Sequence, residues 1–203
     1  MIDWSRIESA KAVIFDCDGT LVDSMPVHYL AWHRTMTDVG IRFEEDRFYA
    51  LGGMPSDRII ALLSREQNVN VDPVSTANRK EQAFLELIHL LEPIEQVVNV
   101  ARTLRGNKPI AVATGGCRDI VSRQLAQVHM SDWFDVIVAA EDTPRHKPEP
   151  DVFFESALRM GVPAGDCLVF EDSDLGIEAA RRAGMEWIDV RSFFQPKRIP
   201  IPT

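Results

Sequence analysis

Short runs of apolar residues alternate along most of the chain with segments whose apolar residues recur every three to four positions. The short runs lack polar alternation, which is typical of parallel strands covered on both faces. The intervening segments have the spacing of amphipathic helices. The pattern therefore predicts an α/β fold built on a doubly wound parallel sheet. The predicted strands are 12–15, 109–114, 136–139, 167–170 and 187–190, and the predicted helices between them are 94–104, 118–128, one from about Pro150, and 173–183.

One long segment, residues 25–91, departs from this alternation, because it has helical spacing throughout and no strand-like run. We interpret it as an all-helical cap domain inserted into the sheet domain. Glu92 and Pro93 mark the return to the core, since proline ends one helix and can begin the next. The predicted core is therefore residues 1–24 and 92–203. Cap helices are predicted from Pro26 to about Gly40, from Glu44, from about Pro55 to Gln67, and from about Pro73 to Leu91.

Composition and charge narrow the function further. The 203 residues are 45% hydrophobic and 26% charged, which suits a globular protein with an ample core. A formal net charge of -9 argues against nucleic acid or an anionic membrane as partner, because phosphate groups attract clustered Lys and Arg. No signal-like N-terminus or membrane-length apolar run is present, so we expect a cytoplasmic location. The tail from Ser192 is rich in proline and is expected to be extended or disordered rather than packed.

The cysteines indicate a reducing environment. Cys17, Cys117 and Cys167 are odd in number and lack the spacing of a zinc site. We interpret all three as free thiols.

The clearest chemical signal is a pair of carboxylates, Asp16 and Asp18, directly after the first predicted strand. Ligands of open α/β sheets collect at the carboxyl ends of strands. Two carboxylates there repel each other unless they share a proton or a cation, so a divalent metal is the natural partner. A calcium-binding loop is a poor alternative, because it needs Gly and Glu where this chain has Leu21 and Val27. A structural turn, in which both aspartates cap backbone amides, stays open at this point.

The stretch Asp16-Cys17-Asp18-Gly19-Thr20 resembles the first motif of the haloacid dehalogenase superfamily of phosphotransferases. The resemblance implies that Asp16 is a nucleophile that forms an aspartyl-phosphate. It also implies that Asp18 is a general acid and base. Both roles suit the chemistry, because a covalent intermediate divides a slow hydrolysis into two easier transfers, each of which needs a proton moved.

Three later stretches resemble the remaining motifs of the superfamily, in the same order, and each lies after the end of a predicted strand. Thr114, with Gly115 and Gly116, is expected to hold the phosphoryl oxygens, although a local turn at Thr114 is an alternative. Lys147 is expected to neutralise the phosphoryl group and steady Asp16, whereas an isolated Lys would usually be a surface charge. Mg²⁺ is the implied cofactor. Its expected ligands are Asp16, the backbone carbonyl of Asp18, and Asp172, with Glu171 either as a ligand or as a residue that supports the ligands. Asp174 is as well suited to be an early-helix charge near the site as to be part of it.

The predicted cap resembles that of the β-phosphoglucomutase-like subfamily, which includes sugar phosphatases. In that comparison His28, Lys80 and, more weakly, Arg58 correspond to residues that contact substrate. Each also has a plainer interpretation, as a partly exposed structural histidine or a surface charge.

The resemblance implies a phosphatase that acts on small sugar phosphates, like bacterial enzymes for fructose 1-phosphate or 6-phosphogluconate. A sugar phosphate mutase is the main alternative, with Arg118 as a substitute for the polar groups that a mutase uses to hold a second phosphate. A phosphometabolite-binding protein without activity is less favoured, because the acids and the lysine of the motifs are all present. We expect a monomer or a weak homo-oligomer.

Overall fold

The computed structural model describes residues 2–201 and contains, within that range, a single sheet of five parallel strands. The strands are β1 (Ala12–Phe15), β2 (Ile110–Ala113), β3 (Val136–Val138), β4 (Cys167–Glu171) and β5 (Glu186–Asp189), in the spatial order β3-β2-β1-β4-β5. The helices are α1 (Trp4–Ser9), α2 (Met25–Asp38), α3 (Glu45–Ala50), α4 (Ser56–Gln67), α5 (Pro73–Glu86), α6 (Glu95–Leu104), α7 (Arg118–Gln127), α8 (Asp151–Met160) and α9 (Asp174–Arg182).

Helices cover both faces of the sheet, as the apolar strands require. Alternate side chains of β1 divide between two cores, with Val13 in one and Ile14 in the other. The first core is completed by α6 and α7, and the second by α8 and α9. The predicted doubly wound α/β fold is confirmed.

The all-helical cap consists of α2 to α5 and has an apolar cluster of its own, which includes Trp32, Phe43 and Ile60. The chain leaves the core and returns to it at neighbouring points. The amide of Asp23 donates to the carbonyl of Glu92 at 2.9 Å, and Val22 bridges to Pro93. The exact division into residues 1–24 with 92–203 and residues 25–91 stays a prediction.

Two local predictions need correction. The last cap helix does not reach Leu91: α5 ends at Glu86, and a short 3₁₀ turn over Ile88–Leu90 follows, where Leu87 and Ile88 pack against the core. Near the N-terminus, α1 was not predicted. Its only capping signal is Asp3, whose side chain accepts a hydrogen bond from the amide of Ser5.

The C-terminal segment packs against the rest of the protein, so the expectation that it would not be packed is wrong. Residues 193–201 form no helix or strand. Phe193, Phe194 and Ile199 nevertheless lie against the sheet core. Arg198 pairs with Glu45 and Asp46 of α3, at 3.2 and 2.9 Å. The tail therefore connects the core to the cap, while residues 202 and 203 lie outside the described range.

The state of the cysteines was also expected from the sequence. Cys17, Cys117 and Cys167 are free thiols, as predicted. Among residues 2–201, no helix combines the length and the apolar character that crossing a membrane requires.

Candidate active site

The residues singled out after three strands meet at one edge of the sheet. Phe15 of β1 pairs with Val112 of β2 on one side and with Phe170 of β4 on the other. Because the strands are parallel and in register, the residues that follow them are neighbours. Asp16, Thr114 and Asp172 therefore come together, although more than 150 positions separate the first from the last.

Lys147 is the cation of this cluster and is buried with its partners. Its Nζ atom donates to Oδ1 of Asp16 and to Oε1 of Glu171, both at 2.7 Å, and to the carbonyl of Ala113 at 3.3 Å. Burial raises the pKa of Asp16 to about 7 even though Lys147 opposes this. Burial acts against the charge of Lys147, but Asp16 and Glu171 outweigh it and raise the pKa of the lysine. The surface-charge interpretation of Lys147 is therefore wrong.

Glu171 has each carboxylate oxygen engaged by protein donors. One oxygen faces Lys147, and the other accepts from the amides of Asp172 and Ser173 at 2.5 and 2.7 Å. The backbone of α9 lies so close that a Cβ on Gly176 would fall 1.6 Å from Oε1 of Glu171. This bonding suits a residue that positions Lys147 and the turn better than a direct metal ligand.

Asp16, Glu171 and Asp172 form an acidic cluster in which one oxygen of each lies within 4.8 Å of the others. Burial, with repulsion from Glu171 and Asp16, raises the pKa of Asp172 well above its usual range. Gly19 lies against Asp172 in a left-handed conformation (φ +78°), and a Cβ there would be 2.2 Å from a carboxylate oxygen. One lysine for three close carboxylates leaves negative charge uncompensated, so the donor set fits a divalent cation.

Asp18 faces the cap. Its Oδ1 accepts from the hydroxyl of Ser24 at 2.5 Å and from Nε2 of His28 at 3.0 Å. Lys80 lies 2.9 Å from Nδ1 of His28 and can only donate, so Nδ1 accepts that hydrogen bond. The N–H of His28 is therefore on Nε2, and it donates to Asp18. Burial opposes ionisation of Asp18, but His28 and Ser24 outweigh it, and the pKa of Asp18 lies well below its usual range.

His28 and Lys80 are therefore brought to the site from two cap helices. The His28 ring stacks on Phe84 with centroids 3.8 Å apart. Lys80 is only 3% exposed, so the surface-charge interpretation is wrong for it as well. Its ammonium also contacts Glu81, a residue that the sequence did not single out, at 3.1 Å.

The loop after β2 forms a local turn around Thr114. The buried Thr114 accepts a hydrogen bond from the amide of Gly116 at 3.0 Å, which is the local turn considered as an alternative. A Cβ on Gly116 would lie 3.4 Å from the Thr114 hydroxyl and 3.7 Å from Asp18, whereas Gly115 has open space at the same position. The turn thus holds Thr114 beside Asp18 and keeps the backbone accessible.

Three charged candidates lie apart from this cluster. The Arg118 guanidinium donates to Asp142 and to the carbonyl of Ile137, so its expected role toward a second phosphate is not seen. Arg58 is exposed in the first turn of α4. Within residues 2–201 it makes no hydrogen bond to Asp16, Asp18 or Lys147. Asp174 is an exposed first-turn residue of α9 paired with Arg191 at 2.8 Å, which leaves it the early-helix role.

Comparison with known proteins gives a consistent result. Residues 13–190 match the haloacid dehalogenase-like hydrolase family. Fructose-1-phosphate phosphatase YqaB of Escherichia coli is 38% identical over 91% of this chain and 98% of its own. The 6-phosphogluconate phosphatase of the same species is 30% identical over 90% of this chain and 81% of its own. The crystal structure of β-phosphoglucomutase from Clostridium difficile superimposes with a TM-score of 0.77, at 26% identity, over 89% of this chain and 84% of that one. The family match spans most of the chain, and this protein belongs to the haloacid dehalogenase-like hydrolases.

Proposed function

We propose that this chain is a Mg²⁺-dependent phosphatase that hydrolyses small sugar phosphates, such as fructose 1-phosphate or 6-phosphogluconate, through a phosphorylated aspartate. The observation that carries the proposal is the pairing of Asp16 with Lys147 at the sheet edge, beside an Asp18 that is bonded to the cap. Membership in a hydrolase family with phosphatases among its relatives supports the reaction class.

Asp16 is the proposed nucleophile. Lys147 holds its Oδ1, so Oδ2 is the oxygen that attacks phosphorus in our proposal. The phosphoryl oxygens are then held by the Thr114 hydroxyl, by the amides of Gly115 and Gly116, and by the Lys147 ammonium. Attack displaces the sugar oxygen and leaves an acyl phosphate on Asp16, which water later hydrolyses.

Asp18 is the proposed proton carrier. It gives a proton to the departing sugar oxygen and takes one from the attacking water. In the ligand-free arrangement His28 favours its carboxylate form, so proton delivery requires that the His28 contact loosen when substrate enters. The cap residues His28 and Lys80 are the proposed contacts of the sugar. A contact of the exposed Arg58 with substrate stays a prediction.

Asp16, Asp172 and the backbone carbonyl of Asp18 would hold Mg²⁺, with Glu171 fixing Lys147 from behind. The bound ion would supply positive charge that offsets the carboxylates and the phosphoryl group. The carboxylate form of Asp16 that attack requires would also be favoured by that charge.

A panel of sugar phosphates tests the proposal. Phosphate release is measured on hexose phosphates, pentose phosphates and 6-phosphogluconate, with Mg²⁺ and with EDTA. Mg²⁺-dependent release from at least one sugar phosphate is expected, and Asp16→Asn should abolish it while leaving the circular dichroism spectrum unchanged. Metal-independent release, or an active Asp16→Asn protein, would contradict the site as proposed.

A mutase is the second candidate, because the C. difficile mutase shares the fold. Between Thr114 and Arg118 the chain has no polar side chain that could hold a second phosphate. Arg118 itself is bonded to Asp142 and to the Ile137 carbonyl, which argues against a mutase. With β-glucose 1-phosphate and a trace of the 1,6-bisphosphate, phosphorus NMR should show phosphate forming faster than glucose 6-phosphate. The reverse order would favour the mutase. A cytoplasmic location, the lack of a nucleic-acid partner and a monomeric or weakly oligomeric state stay predictions.

A further inference from the structure

The first turn of α7, directly after Gly116 and Cys117, is one rim of the site, and a carboxylate already binds its first amide. The amide of Arg118 donates to both side-chain oxygens of Glu141, at 3.2 and 3.1 Å. The amide of Ala140 donates to the carbonyl of Gly116 at 3.0 Å, so the segment with Glu141 is fixed to the loop that carries Thr114. An exposed amide at a helix N-terminus normally attracts an anion from solution. Here Glu141 takes that position.

The nearest cation of this rim is also engaged. The guanidinium of Arg118 donates to Asp142 and to the Ile137 carbonyl. Asp142 is anchored in turn by the amide of Ala139 at 2.7 Å and by Arg159 at 3.2 Å. Arg118 is therefore held away from the site by a carboxylate that is itself fixed.

A second carboxylate lies beside the site in the cap, next to Lys80. Oε1 of Glu81 accepts from Lys80 at 3.1 Å and from Ser56 at 3.2 Å. Burial, followed by the charges of Glu141 and Glu81, raises the pKa of Cys117, the residue between Gly116 and Arg118. Glu141 thus lies next to Cys117 in the core, bonded to the amide that follows it, and Glu81 lies in the cap, bonded to the Lys80 that contacts His28.

We propose that Glu141, assisted by Glu81, restricts the substrate to a sugar with one phosphate and an uncharged, hydroxyl-bearing far end. This inference rests on the proposed sugar phosphatase function. Carboxylates accept hydrogen bonds from sugar hydroxyls, and they repel a second phosphate or a carboxylate. Of the two substrates named above, the inference therefore selects fructose 1-phosphate over 6-phosphogluconate, and it predicts that fructose 1-phosphate is also a better substrate than its 1,6-bisphosphate.

The test compares kcat/KM for fructose 1-phosphate and fructose 1,6-bisphosphate, which differ only in the second phosphate. Wild type should favour the monophosphate, and Glu141→Gln should shift the ratio toward the bisphosphate by roughly ten-fold. Glu81→Gln should shift it in the same direction. Glu8→Gln changes the net charge equally at the opposite edge of the sheet, where the Glu8 carbonyl binds Lys108 just before β2, and should leave the ratio unchanged.

Glu141→Asp keeps the negative charge but shortens the side chain that bonds to α7. It should retain the wild-type preference if charge repulsion, rather than loosening of α7, sets the ratio. An unchanged ratio in Glu141→Gln, or equal use of both sugars by wild type, would overturn the inference while leaving the phosphatase proposal intact. A wild type that releases phosphate from no sugar phosphate would overturn both.

Discussion

Nε2 of His28, on the first helix of the cap, donates a 3.0 Å hydrogen bond to Oδ1 of Asp18 in the core. The contact joins the proposed proton carrier to the domain that would contact the sugar. It also makes the protonation of Asp18 depend on the cap.

Replacing His28 should therefore change the pH dependence of the enzyme. In His28→Leu the pKa of Asp18 rises, because burial is no longer offset by His28. The limb of the kcat/KM profile that reports Asp18 should move to higher pH by roughly one pH unit or more. His33→Leu on the same helix is the control, since His33 lies edge-on to Tyr29. Equal profiles for both variants would contradict the proposed coupling.

Removal of Lys147 should destabilise the fold strongly. Lys147→Met leaves Asp16 and Glu171 buried without their cation, and breaking such a pair typically costs about 3–5 kcal/mol. Urea unfolding at neutral pH measures the loss. Lys11→Met, which removes an exposed pair with Asp166, should change the free energy of unfolding by at most about 1 kcal/mol. Similar losses in both variants would argue that the buried pair is not held as described.

Mg²⁺ should stabilise the protein in a pH-dependent way. Asp16 and Asp172 have raised pKa values in the fold, so the metal-free protein binds extra protons and loses stability as pH rises from about 4 toward about 7. Mg²⁺ binds the carboxylate forms and should restore that stability. The increase in Tm on adding Mg²⁺ should therefore be larger near pH 8 than near pH 5.

Asp172→Asn should remove most of this increase. Asp174→Asn is the matched control, since Asp174 lies two residues further on and pairs with Arg191 on the surface. An equal Mg²⁺ effect at both pH values, or an unaffected Asp172→Asn protein, would contradict the proposed ligand set.

Gly176→Ala should disturb the site by displacing Glu171. The new Cβ would overlap Oε1 of Glu171, and a displaced Glu171 no longer supports Lys147. We expect a loss of at least about 2 kcal/mol in stability together with most of the activity. Gly165→Ala adds the same methyl group where the nearest atom is 4.0 Å away and should behave like wild type. Wild-type activity in Gly176→Ala would show that Glu171 can move without consequence.

The sequence was informative where local pattern and family motif coincide. The apolar runs predicted the strands because buried parallel strands need continuous apolar residues. Once the strands were placed, parallel register was enough to bring Asp16, Thr114 and Asp172 together. The meeting of Lys147 with Asp16, 131 positions apart, followed from the family resemblance rather than from any local pattern.

Other features depend on tertiary contacts that leave no periodic signal. The direction of the Arg118 side chain is decided by Asp142, and the end of α5 by the packing of Leu87 and Ile88 on the core. Glu81 and Glu141 appear as ordinary surface acids in the sequence. Their positions beside the site, next to the Arg118 amide and to Lys80, become visible only when the cap and the core are assembled.

The packed tail has a mechanical consequence for the cap. A rigid body joined to another through two neighbouring crossings, here at Asp23 and Glu92, can rotate about the line through them. Arg198 adds a further attachment, on α3, to these crossings and to the His28–Asp18 contact. Exposed ion pairs such as these contribute only about 0–1 kcal/mol each, so this further attachment is weak. Any swing of the cap about its two crossings must first release the tail.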